Sequence, residues 1–290
     1  MQKLSLFLLA FVLLLGVNSA SAFDIKLDIG TALPGHSDGD ADDFTDVFEQ
    51  FSFKAETTTT QFGTLPSGPV VGDVFSDFGD LYMTDYVAAT NIDDEGLGSA
   101  HEFTMTWGTG SLSTLDGVIT SSTVTSNGKL VQTFDYTGGQ FEMYVDDNMD
   151  RNFGSSVGAG DNSGFTNGQK VATLSLMSGS GTNTFVSPGG AFESGSSNFN
   201  LKFDSVLDNF WYDEFGVDLN EKLVSFEWFI ALADQNTDDV VTNFTGINNG
   251  GNGQDELFKI LSNHDGSIDP AAIPEPTTML LFGTGLLGLA

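Results

Sequence analysis

A two-residue periodicity of apolar side chains, returning in one segment after another, constrains this chain more than any other feature. Ile25, Leu27 and Ile29 alternate with Asp24, Lys26 and Asp28, and Phe103, Met105 and Trp107 alternate with Glu102, Thr104 and Thr106. Phe141, Met143 and Val145 stand against Glu142 and Tyr144, and Phe199, Leu201 and Phe203 against Asn200, Lys202 and Asp204. Phe51, Phe53 and Ala55 lead into Thr57 to Thr60, and Val224, Phe226, Trp228 and Ile230 form a further row. Successive side chains of a strand point to opposite faces, so each segment reads as a strand with one buried and one wet face. Runs at Gly117 to Thr125, Lys129 to Tyr136 and Val171 to Met177 have strand composition as well. Asn127-Gly128, Gly138-Gly139, Asn167-Gly168 and Pro188-Gly189-Gly190 fall between the runs as turns. Helical periodicity is weak and no internal repeat is visible. About ten strands at this spacing predict an all-β fold, an antiparallel β-sandwich or jelly-roll-like domain.

The 26 Phe among 290 residues supply the core of such a domain. Charge is lopsided: 40 acidic residues face 9 Lys and Arg, for a formal net charge of −31. Such a surface repels phosphate, which excludes nucleic acid as a partner and disfavours anionic lipid. Divalent cations, cationic polymers and neutral glycans remain as partners. The absence of Cys removes disulfides and thiolate metal sites.

Both ends are apolar, for different reasons. Lys3, the run Leu4 to Gly16 and the Ala20-Ser21-Ala22 step make residues 1–22 a secretory signal peptide, with cleavage by a signal peptidase before Phe23. At the other end Pro274-Glu275-Pro276 precedes Met279-Leu280-Leu281-Phe282-Gly283-Thr284-Gly285-Leu286-Leu287-Gly288-Leu289-Ala290. This arrangement resembles the PEP-CTERM sorting signal of bacteria that possess an exosortase: a Pro-Glu-Pro triplet, a Gly- and Leu-rich membrane helix, and an Arg-rich tail. The first two parts match and the third is missing. Thr277 to Ala290 makes about 21 Å of helix against a hydrocarbon core of about 30 Å, so the chain is expected to continue beyond Ala290, the alternative being a short tail that is not retained in the membrane. The resemblance implies handling by an exosortase-type enzyme, transient membrane association through the C-terminal helix, and delivery to the cell surface or extracellular matrix of a Gram-negative bacterium. The expected partition is a signal peptide (1–22), an acidic β-sandwich domain (23–269), a Pro-rich linker (270–276) and a hydrophobic sorting helix (277–290).

Few residues within the body suggest chemistry. Asp38, Asp40, Asp42, Asp46 and Glu49 occupy positions 1, 3, 5, 9 and 12 of a calcium loop, which makes Ca2+ the one candidate cofactor. Asp43 stands where an EF-hand needs Gly, and the preceding segment is a strand, so an EF-hand is not expected. A second acidic turn, Asp146-Asp147-Asn148-Met149-Asp150, offers Asp146, Asn148 and Asp150 to a cation, with a plain hairpin loop as the blander alternative. The stretch from Phe141 through Gly168 resembles a strand–acidic turn–strand segment of PEP-CTERM proteins associated with flocculation. Trp211, Tyr212 and Asp213, within Phe210 to Phe215, form a candidate glycan platform, since flat rings stack on sugars; the competing reading places Trp211 in the core. Gly154-Ser155-Ser156-Val157-Gly158 fits a nucleophile pattern but lacks the strand-turn-helix setting that pattern requires. His36, His101 and His264 are not spaced for zinc, and His36 and His264 are expected in exposed loops. The functional expectation is a non-catalytic surface or matrix protein associated with exopolysaccharide, biofilm or flocs. A carbohydrate-binding module and an exported hydrolase are the alternatives.

Overall fold

A computed structural model describes residues 24–36, 44–63, 69–89, 96–109, 111–153, 163–188, 192–223, 227–234 and 255–273. The chain is all-β and antiparallel, as the alternation implies. Its strands are β1 (Ile25–Leu27), β2 (Gln50–Gly63), β3 (Val74–Val87), β4 (Glu102–Trp107), β5 (Leu115–Val124), β6 (Leu130–Gly138), β7 (Gln140–Asp146), β8 (Gln169–Phe185), β9 (Phe192–Val206), β10 (Trp211–Asp213), β11 (Glu227–Asp234) and β12 (Asp255–Ile273). Two short helices, α1 (Ile29–Ala32) and α2 (Leu219–Leu223), and a 3-10 turn at Ser163–Phe165 complete the described elements.

Ten strands form one ladder in the order β2-β12-β11-β9-β8-β6-β5-β3-β4-β7, and additional β2–β3 and β7–β8 pairings close it into a ring. Two long strands fork to make this possible. The first residues of β3 pair with β5 through Val74↔Val118 to Asp77↔Leu115, and its middle pairs with β4 through Gly79↔Trp107 to Tyr82↔Thr104. β8 divides in the same way between β7, from Gln169 to Ser175, and β6, from Gly179 to Phe185. The two layers expected of a sandwich are thus sides of a single ladder wrapped round on itself, which leaves fewer open edges.

Inward-facing alternation fills the ring. Phe51, Phe53, Leu81, Met83, Phe103, Met105, Trp107, Phe141, Met143, Val145, Leu174, Leu201, Phe203 and Ile268 belong to one buried cluster. Each such side chain contributes about 1.5–3 kcal/mol on burial. β1 and β10 pair with each other, Leu27↔Trp211, and send Ile25, Leu27, Phe210 and Trp211 into that same cluster. The ring residues Trp211 meets, Phe51, Phe103 and Phe203, lie at one end of their strands' pairing, so the small sheet closes that end of the ring.

Three expectations change. The expected linker does not begin at Pro270, because β12 runs on to Ile273 and Pro270 pairs with Ile230. Pairing of β12 with β2 ends at Ile268, so beyond that point β12 has β11 alone as a partner among the described strands, and a proline without an N–H is tolerated. His264 lies within β12 opposite Ala55, not in a loop, with its Nε2 2.8 Å from the Thr57 hydroxyl. β4 is not half wet: Glu102, Thr104 and Thr106 are as buried as the apolar residues between them. The segment carrying Arg151 and Phe165 meets this face at Glu102 and Thr104, while the Thr106 hydroxyl turns to the Gly79 carbonyl and Thr109 Oγ1. Residues 1–22 and 274–290 lie outside the described residues, and no helix among the described residues is long and apolar enough to cross a membrane.

Candidate functional site

The chain leaving β7 folds back over the outer face of β3 and β4. Phe153 lies against Tyr82 with centroids 5.4 Å apart and stacks on Phe165 at 5.4 Å, while the Arg151 guanidinium sits 4.2 Å from the centre of the Tyr82 ring. The returning 3-10 turn is pinned by the Thr104 hydroxyl, which donates to the Phe165 carbonyl at 2.9 Å. Two glycines allow this close approach. A Cβ on Gly164 would stand 2.4 Å from the Asp150 carbonyl oxygen, and one on Gly168 would stand 2.3 Å from that of Val145. Buried polar groups without a partner are costly, and beneath this cover the Thr104 hydroxyl and the Phe165 carbonyl satisfy each other.

Beneath the cover, carboxylates converge. Glu102 opens β4 and Asp146 closes β7, and the register places them directly opposite each other. Asp150, from the turn that follows, completes a group whose ligand-capable oxygens all lie within 4.8 Å of one another. Glu102 is 1% exposed and Asp146 4% exposed, whereas Asp150 faces solvent. The positions are fixed from several sides. Arg151 Nη1 donates to Glu102 Oε2 at 2.7 Å, the Asn148 amide to Asp146 Oδ1 at 2.9 Å, and Asn167 Nδ2 to both Asp150 oxygens at 3.1 Å. Glu102 Oε1 and Asp146 Oδ2 are buried without a hydrogen-bond partner among the described residues. Burial pushes the Glu102 carboxyl above its ordinary value; Arg151 opposes that rise and the Asp146 charge adds to it. All the donors are hard oxygens, which suit calcium or magnesium and not zinc.

The residues singled out in the sequence fall elsewhere. Asp38, Asp40 and Asp42 lie outside the described residues. Asp46 is exposed on an extended segment running beside β1, held by the Phe44–Asp28 and Phe48–Ile25 bridges, and Glu49 Oε1 accepts from the Ala89 amide at 3.1 Å. Trp211 is 1% exposed and its Nε1 donates to the Val171 carbonyl at 2.9 Å, so neither ring face is open to a sugar. Asp213, also 1% exposed, accepts from the Phe215 and Val217 amides at 2.9 and 2.8 Å, which organises a turn and uses up the oxygen. Tyr212 is half-buried, edge-on to Phe44 at 5.2 Å. The glycan platform is therefore corrected: Trp211 and Asp213 are structural, because β10 must plug the ring, and the cluster's solvent-facing ring is Phe215, 79% exposed. Of the second acidic turn, Asp146 and Asp150 do converge, but Glu102 takes the place expected of Asn148. Nothing in the sequence near Glu102 announces this; only the β4–β7 register does.

A family model for the PEP-CTERM protein-sorting motif matches residues 272–290, which include Pro274, Glu275 and Pro276. No curated protein and no solved structure matches the chain. The motif marks a protein sorted by an exosortase-type system, exported and delivered to the cell envelope or surface.

Proposed function

We propose that this protein is a non-catalytic component of the cell surface or extracellular matrix, associated with exopolysaccharide and with biofilm or floc formation. The observation that carries the reading is the sorting motif at residues 272–290, joined to an acidic all-β body. The formal net charge of −31 supports it, because such a surface keeps exported copies apart and lets divalent cations bridge them to anionic polymer. Individually weak contacts of that kind add through multivalency. The likeness of Phe141 to Gly168 to flocculation-associated PEP-CTERM proteins points the same way. A signal peptidase at Ala22 and an exosortase acting at Pro274-Glu275-Pro276 are the processing partners of this reading.

The test is a deletion strain, scored for flocculation and matrix retention, alongside fractionation of cells with and without their exosortase. Loss of flocs in the deletion strain, and retention of the unprocessed chain without the exosortase, are expected. Normal flocculation in the deletion strain would refute the matrix role.

A further inference from the structure

Glu102, Asp146 and Asp150 present an imbalance that the described residues do not resolve. Three carboxylates meet one guanidinium, that of Arg151, which binds a single Glu102 oxygen and is held to one side by its stacking on Tyr82. The local excess is two negative charges. Two of the carboxylates are more than nine-tenths buried, and each keeps an oxygen that no donor among the described residues reaches. A buried carboxylate oxygen left unmatched is expensive, and like charges gathered in a poorly solvated site add to the cost.

We propose that these three residues form a calcium site. Three oxygens within 4.8 Å of one another lie no more than about 2.8 Å from a common point, so shifts of a few tenths of an ångström bring all three to the roughly 2.4 Å that calcium takes from its ligands. A divalent ion matches the excess charge of two. Carboxylates bind calcium through one or both oxygens, so three supply at least half of a six-oxygen shell, and water from the open Asp150 side fills the rest. The ligands come from three separate places: the start of β4, the end of β7, and the turn beyond it. Calcium therefore ties the folded-back segment to the ring and couples that segment's order to the cation concentration outside the cell. This site is independent of the sorting reading; it stands or falls on its own residues.

The full exported protein, stripped with EDTA, is titrated with calcium chloride at 150 mM sodium chloride, so that diffuse binding to the acidic surface is screened. Calorimetry is expected to show one saturable site, and thermal unfolding a midpoint that rises by several degrees with calcium. Glu102→Gln and Asp150→Asn should each weaken that site at least tenfold and remove the midpoint shift. Asp150 is exposed, so its variant keeps the fold even where the Glu102 variant does not. Asp135→Asn, an exposed carboxylate on β6, should change nothing. Saturable binding that survives Asp150→Asn, or that disappears with Asp40→Asn instead, would overturn the proposal. So would binding that is only weak and unsaturable in the unaltered protein.

Discussion

Replacing Trp211 separates a core residue from a ligand platform. The indole is packed edge-on or tilted against Phe51, Phe103, Phe203 and Phe210 at centroid distances of 6.5, 5.9, 5.4 and 5.5 Å, and Nε1 serves the Val171 carbonyl. Trp211→Ala removes that packing and leaves a cavity where β1 and β10 plug the ring, a loss of about 3–5 kcal/mol. It also removes one of the two donors to the Val171 carbonyl, which keeps the Leu207 amide at 2.9 Å, and the lost hydrogen bond adds about 1 kcal/mol. The sum, about 4–6 kcal/mol, is a large share of the 5–15 kcal/mol typical of a folded domain. Trp211→Phe keeps most of the ring contacts but not the hydrogen bond, and should cost about 2 kcal/mol. Urea unfolding followed by far-ultraviolet circular dichroism measures both. With a slope of about 3 kcal/mol per molar, the Ala variant should unfold about 1.3–2 M earlier and the Phe variant under 1 M earlier. A Trp211→Ala protein that unfolds at the unaltered midpoint while losing affinity for a glycan would refute this, because it would put the ring at the surface.

Three further outcomes follow from single contacts. Asp80, set between Glu56 on β2 and Thr106 on β4, has its carboxyl raised to about 6 by burial, with the Thr106 hydroxyl opposing the rise. A raised folded value means the native state holds its proton longer than the unfolded chain, so this group's contribution declines as pH climbs from about 4 to about 6 and is constant above. The ceiling is about 3 kcal/mol and the partial exposure of Asp80 reduces it to about 1–2, so Asp80→Asn should raise the urea midpoint at pH 7.5 and flatten the pH dependence across that window. Gly168→Ala would set a methyl against the Val145 carbonyl, and should cost about 1–3 kcal/mol and speed proteolysis between Asp150 and Gly168. Thr104→Val keeps the shape of the buried side chain but strands the Phe165 carbonyl; a loss of about 1–3 kcal/mol in the same unfolding assay is expected.

Local pattern alone determined much of this protein. Rows such as Phe51-Phe53-Ala55 and Phe141-Met143-Val145 read correctly as strands with an inner apolar face, and Asn127-Gly128 and Gly138-Gly139 as the turns between β5, β6 and β7, because side-chain alternation and turn geometry are properties of neighbouring residues. The sorting motif was legible for a similar reason: Pro274-Glu275-Pro276 and the Gly-Leu run are read by a partner as a linear segment. β3 is not legible in the sequence because its inward row passes through Asp77 and Gly79, and Gly79 makes room for the Trp107 ring, which would lie 2.7 Å from a Cβ. Tertiary structure decided the rest. Closure of the ring depends on β2–β3 and β7–β8 pairings between strands whose patterns are equally compatible with two flat sheets. Trp211 is interior, and not a platform, because β10 pairs with a strand nearly two hundred residues earlier. Glu102 joins Asp146 and Asp150 only through the β4–β7 register, for a carboxylate's neighbours in space are set by which strands pair, and no local pattern encodes that choice.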